Sequence, residues 1–321
     1  MNGIFREIRQ SLLLGLAAPL LIVGIGGRLA SIGNAPSFSR ADTDAAVRVS
    51  ILEDGERREM TLEAYLNRVV MGEMPVPFEM EALKAQAVAA RTYTCRVLRT
   101  GGKHDGALCT DSTCCQAFCQ DAAYEGQSLQ NREKIAAAVR ETDGLVLAYG
   151  ESLIEAPYFS CSGGRTEDAV AVWGVDYPYL RSVDSPGEEA ARYDRDSVTF
   201  SGQEIEERLG ISLGEDRTNW LGAAEFTSGG GVESIVLGGK QFTGTSLRRL
   251  LGLRSTAFTA TLEQDGIRFD TRGYGHRVGL SQYGANAMAS GGKTFQEILE
   301  HYYPGTVLLN YSEFVEKQGG M

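Results

Sequence analysis

Two groups of residues have types and spacings that could do chemistry. The first is Glu73, in the run GEMPVP at residues 72–77, with Lys84 and Arg91 following on the next segment. A carboxyl group can exchange a proton with a ligand, and a guanidinium can grip an anion through two parallel hydrogen bonds. The same residues also suit solvated surface charges, and their types alone leave both readings open. The second group is His104, Cys109, Cys114 and Cys115, spaced H-x4-C-x4-C-C. One imidazole and three thiolates make a four-coordinate structural zinc site of ordinary composition. Disulfides are the competing reading, since Cys95, Cys119 and Cys161 offer partners and an oxidising exterior would permit them.

These residues need elements to hold them. Gly72, Pro75 and Pro77 predict a turn around Glu73. A helix is predicted from about Phe78, with acidic residues in its first turn, an Ala-rich middle, Arg96 and Arg99 near its end, and Gly101-Gly102 as a stop. Lys84 and Arg91, seven residues apart, would then share one face of that helix. Hairpins are predicted for Val47 to Leu52 with Met60 to Leu62, and for Val232 to Leu237 with Lys240 to Thr243 through Gly238-Gly239. Further helices are predicted at Arg132 to Thr142, Gln203 to Leu209, Ser246 to Leu251, Gln282 to Ala289 and Thr294 to His301. Tyr177 to Ser197, rich in charge and proline, reads as an exposed excursion near the site. The expected class is therefore α+β, with mixed strands and hairpins around a central Ala-rich helix.

A chain of 321 residues is long enough to bury a full core. Its formal net charge of -11 argues against nucleic acid or an anionic membrane surface as the main partner. Arg6 and Arg9 precede a largely apolar run from Leu12 to Gly27, which predicts an uncleaved N-terminal membrane anchor at residues 1–33, a cleaved signal peptide being the alternative. Residues 34–46 read as a linker, 47–310 as the main domain, divisible into two subdomains with a cleft between them, and 311–321 as a tail. The main domain would then lie outside the cell membrane.

The run GEMPVPFEMEALKAQAVAARTY at residues 72–93 resembles the signature of the stage II sporulation protein D family, lytic transglycosylases that share a domain with amidase enhancers. Two later blocks extend the resemblance in the same order: YFSCSGGRTE at Tyr158 to Glu167, and GYGHRVGLSQYGANAMA at Gly273 to Ala289. The resemblance implies cleavage of the MurNAc-GlcNAc bond in peptide-free peptidoglycan strands, with Glu73 as the catalytic acid and base. It further implies that Lys84, Arg91, Tyr93, Ser162, Gly163, His276 and Gln282 contact substrate, Arg91 holding Glu73 or another core carboxylate being the alternative, and that Cys114 replaces a second histidine in the metal set. Arg277 departs from the family's GHGVG pattern. A role in engulfment during sporulation is implied by family alone, beside a peptide-stripping amidase and a membrane protein that localises both. An amidase enhancer that binds wall without cutting it is the rival reading.

Overall fold

The computed structural model describes residues 44–53 and 55–319. The expected anchor and most of the linker lie outside them, and no helix among the described residues is long and apolar enough to cross a membrane.

The first strands among the described residues form the hairpin β1 (Arg48–Glu53) and β2 (Glu56–Thr61), whose register sets Arg48 opposite Thr61. Alternation sends Val49 and Ile51 inward while Arg48 stays exposed. Thr61 then accepts a hydrogen bond from the Ala64 amide and caps α1 (Leu62–Glu73), which buries Leu62, Leu66, Val69 and Val70 at helical spacing. Glu73 is thus the last residue of a helix, not part of the turn that the glycine and prolines suggested. The prolines act after the helix, where they bar its continuation.

The Ala-rich helix α2 (Met80–Thr100) ends where expected, on Gly101 at a left-handed φ of 81°. Every residue from Ala85 to Thr92 is buried. Alanine side chains are short enough that neighbours can close on all sides, so α2 becomes the axis of the first core. It packs against α1, α3 (Leu129–Arg140) and β4 (Leu145–Tyr149). The short strand β3 (Leu108–Cys109) pairs in parallel with β1, and β4 turns back on β5 (Ser152–Leu153). After β6 (Tyr158–Phe159) comes a loop-rich stretch, followed by the second core.

That second core is built from β7 (Arg195–Phe200), α4 (Gly202–Leu209), the meander β8 (Leu221–Phe226), β9 (Val232–Leu237) and β10 (Lys240–Thr243), α5 (Gly244–Leu251), and the hairpin β11 (Phe258–Glu263) with β12 (Gly266–Arg272). Strand β12 also pairs with β7, and Phe200, Ile205, Leu237, Leu247 and Phe269 fill the interior. The chain then returns to the first core through β13 (Leu280–Ser281), which lies parallel to β6, and through α6 (Gln282–Ser290) and α7 (Phe295–Tyr302), both against α2. Strand β14 (Val307–Asn310) pairs with β4, and the final helix α8 (Tyr311–Gly319) buries Tyr311 and Phe314. The start of the expected tail, through Tyr311 and Phe314, is therefore part of the packed body, as is Asp44 in the expected linker.

A buried ion pair joins the two cores. The Arg277 guanidinium donates to Glu167 Oε1 at 3.1 Å, to the carbonyls of Ser162 and Arg165, and to the carbonyl of Gly229 in the β8–β9 turn. Glu167 in turn accepts from the Gly231 amide at 2.8 Å and from the Thr227 hydroxyl. Arg277 holds a φ of 65°, a conformation that favours glycine, so its hydrogen bonds offset a backbone cost of about 1–2 kcal/mol. Arg277→Ala would leave Glu167 charged and without a cation, and we expect a loss of about 3–5 kcal/mol in urea unfolding. A loss below about 1 kcal/mol would show that the pair does not hold the cores together.

Candidate active site

A cavity of about 860 Å³ opens between the cores, lined on one side by Glu73, Tyr93, Gln116, Tyr158 and Gln282 and on the other by Arg248, Tyr274 and His276. Glu73 reaches it from the end of α1. Its position depends on Gly72, because a Cβ there would come within 3.1 Å of the Cys119 amide nitrogen. Without that Cβ the segment after the cysteine cluster lies directly on the last turn of α1, and the Cys119 amide bonds the Arg68 carbonyl at 3.0 Å. The Ala117 amide then donates to Glu73 Oε1 at 2.6 Å, and Gln282 Nε2 donates to Oε2 at 3.2 Å.

Tyr158, on β6, completes the cradle. Its single hydroxyl proton goes to Gln116 Oε1 at 2.7 Å, and its oxygen sits 3.4 Å from Glu73 Oε1. Gln116 is itself fixed by donating to Tyr65 and Thr94. Burial raises the Glu73 carboxyl above its ordinary range, and the hydrogen bonds from Ala117 and Gln282 oppose that rise without cancelling it. The nearby apolar side chains Met74 and Phe78 belong to the first core, while the groups directly on the carboxyl are polar. The result is an acid that holds its proton more firmly than an exposed glutamate and whose carboxylate form is already met by two donors.

The cavity holds one other carboxylate among its lining residues, Glu155, which is ion-paired to Arg96. His276 hangs from the Gly-rich loop, with Nδ1 accepting from the Val278 amide at 3.1 Å and its ring against Phe159 and Trp173. Burial and the nearby Arg248 guanidinium push its pKa down to about 4, so at neutral pH it is an uncharged imidazole.

Four of the residues expected at substrate do not reach it. Arg91 is fully buried, donating from Nε and Nη2 to Asp44 and from Nη2 to the Val139 carbonyl; its ionic partner lies 47 residues upstream, in the segment read as linker. Lys84 is held by Glu81 at 2.8 Å and Glu141 at 2.6 Å. Ser162 and Gly163 turn instead around Glu188, whose Oε2 accepts from both amides and from the Ser162 hydroxyl at 2.7–2.8 Å. Glu188 comes from the supposed exposed excursion, which is thus folded into the body and contributes nothing to the cavity lining. Sequence reasoning missed Tyr158, Gln116 and Arg248. Tyr158 at least opens one of the quoted motif blocks, whereas nothing local distinguishes Arg248.

The sulfur cluster forms the adjoining rim. One donor atom from each of His104, Cys109, Cys114 and Cys115 lies within 4.8 Å of all the others, with His104 Nε2 at 3.3 Å from Cys114 Sγ. Tetrahedral zinc with bonds of about 2.0–2.3 Å sets its ligand atoms roughly 3.5–4 Å apart, so this donor set fits after small adjustments. All six cysteines are free thiols, and Cys95 and Cys161 are buried elsewhere. Tyr93 hydrogen-bonds to Cys115 and lines the cavity, connecting the cluster to the site.

Comparison with known proteins agrees with the motif blocks. A family model described as Stage II sporulation protein matches residues 54–149. Stage II sporulation protein D of Bacillus subtilis (strain 168) is 37% identical over 299 residues, covering 89% of this chain and 87% of its own length. The protein of the same name from Bacillus amyloliquefaciens is 39% identical over 264 residues, covering 80% and 76%. A Bacillus subtilis (strain 168) protein named amidase enhancer is 30% identical across 77% of this chain and 40% of its own length. Identity at this level across most of both partners means that the chain belongs to the stage II sporulation protein D family.

Proposed function

We propose that the protein is a peptidoglycan lytic transglycosylase that cuts the MurNAc-GlcNAc bond of peptide-free strands during sporulation. The observation that carries this reading is the lone buried carboxyl. Hydrolytic glycosidases use two carboxylates, one as acid and one as nucleophile or base. Here the other lining carboxylate, Glu155, is tied to Arg96 by an ion pair, which leaves Glu73 as the one carboxyl that burial equips to carry a proton. One carboxyl suffices when the sugar supplies its own nucleophile. Protonated Glu73 gives its proton to the glycosidic oxygen as the bond to the anomeric carbon breaks. The resulting carboxylate then takes the proton of the C6 hydroxyl as that oxygen bonds to the anomeric carbon, leaving a 1,6-anhydro end and an unchanged Glu73. The Ala117 and Gln282 donors favour the carboxylate formed midway, and the neutral His276 ring leaves the acid's proton uncontested.

The His104, Cys109, Cys114 and Cys115 set would hold a zinc ion with no open coordination position. When bound, the ion would supply a cross-link and no reacting group. These four residues would then fix the loop that presents Gln116 and Ala117 to the acid. Membrane anchoring through residues 1–33, an extracytoplasmic site and work beside a wall amidase complete the proposal. The relative named amidase enhancer supports a second reading, a wall-binding module without catalysis. The product separates the two.

Glu73→Gln should lower strand cleavage by at least about a hundredfold, with anhydro ends counted by mass spectrometry. Undiminished cleavage would contradict the assignment. Because folding raises the Glu73 pKa, the wild type loses stability as pH climbs from the ordinary carboxylate range through the folded value, and the glutamine variant escapes that loss. Urea midpoints should therefore move in favour of Glu73→Gln between pH 4 and pH 8; a difference constant across that window would show an unshifted carboxyl. Protein purified without chelator should contain about one zinc per chain, and chelation should lower its melting temperature. Metal-free protein with its cluster thiols oxidised would decide for disulfides.

A further inference from the structure

The cavity does not end at His276. A second hollow of about 580 Å³ continues from it, sharing Arg248, Tyr274 and His276 as lining residues. Its other walls include Arg249, Arg254 and Trp173, and no aspartate or glutamate lines it. In a chain with a net charge of -11, a hollow with three arginines and no carboxylate in its lining presents a locally positive surface that favours anions. The three arginines are not equivalent. Arg254 is ion-paired to Asp196 at 3.2 Å and lies over the Tyr193 and Tyr274 rings. Arg249 projects outward from α5 and is exposed. Arg248 is half-buried on α5, donates from Nε to the Arg254 carbonyl at 3.2 Å, and forms no ion pair among the described residues. Its guanidinium stands at the junction of the two hollows, close enough to His276 to depress that ring's basicity.

Two aromatic surfaces flank this cation. Trp173, 42% exposed, ends the short helix Ala169–Trp173 with its ring tilted against His276, and Tyr274 is 37% exposed. Half-exposed aromatic faces beside an unpaired guanidinium suit a ligand with apolar ring faces and a carboxylate, which is the chemistry of a hexosamine bearing a lactyl ether. We propose that Arg248 binds the free lactyl carboxylate of a MurNAc residue lying in the second hollow, and so makes the cleft select strands whose peptides have been removed. An amide-linked stem peptide abolishes that carboxylate and adds bulk at the same point. The role expected of Lys84 and Arg91, both of which are occupied by internal carboxylates, thus falls to a residue on the opposite core. This inference takes its strand from the transglycosylase reading, but it concerns binding and can be tested apart from turnover.

The test measures affinity of the full chain carrying Glu73→Gln, so that strands stay intact, for peptide-free glycan strands and for the same strands with their lactyl carboxylates converted to amides. The free-acid strands should bind more tightly. Adding Arg248→Gln should weaken their binding by about tenfold to a hundredfold while leaving the amidated strands within about twofold, and Arg248→Lys should recover part of the loss. Unchanged binding of amidated strands also verifies that the variant is folded. Equal losses on both strands, no loss on either, or no preference for the free acid before substitution would each overturn the subsite. Cleavage by the chain with Glu73 intact is scored separately. Carboxylate-dependent binding without anhydro products would remove the lytic reading and leave the Arg248 subsite in place.

Discussion

The 2.6 Å hydrogen bond from the Ala117 amide to Glu73 is the contact on which the site depends. It requires two chain segments separated by more than forty residues to touch backbone to helix end, and the missing Cβ of Gly72 allows that approach. The same docking presents Gln116, which takes the hydroxyl proton of Tyr158 and so leaves that tyrosine oxygen facing the acid as an acceptor. Burial alone would give a carboxyl that never ionises, and strong donors alone would give one that never protonates. The balance of the two produces a group able to alternate.

Charge is divided between the interior and the cleft. Arg91 and Arg277 are fully or nearly fully buried, each matched to one carboxylate and several carbonyls, and such pairs are costly to break even where they add little net stability. They fix where segments meet: Arg91 holds Asp44 against the end of α3 and the start of β4, and Arg277 holds the second core by its β8–β9 turn. Glu188 acts in the same way with opposite sign, drawing the amides of the Ser162-Gly163-Gly164 turn around one oxygen. Arg248, on α5 across the cavity from the acid, is by contrast without an ion pair among the described residues.

What could be read from sequence was what is encoded locally. The hairpin through Gly238-Gly239 and the Ala-rich helix with its glycine stop appear as expected, because turn chemistry, caps and periodicity lie within a few residues of one another. The His104 to Cys115 cluster was legible for the same reason, its four donors falling within twelve positions. Glu73 does line the cavity, but it was placed in a turn and not at a helix end, since Gly72 serves close packing here and not chain reversal. The substrate roles given to Arg91 and Ser162 failed because their partners, Asp44 and Glu188, sit in segments whose composition suggested solvent. A basic residue on a helix face announces its charge but not its partner, and only the folded chain shows which arginines are already satisfied.

The claim beneath all of this is that the folded site raises the Glu73 carboxyl above the ordinary carboxylate range. It is tested most directly by carbon-13 NMR titration of the full chain with labelled glutamate, the Glu73 signal being assigned by its absence in the glutamine variant. We expect the carboxyl carbon to titrate at a pH clearly above that of the exposed glutamates. A midpoint at or below theirs would contradict the account.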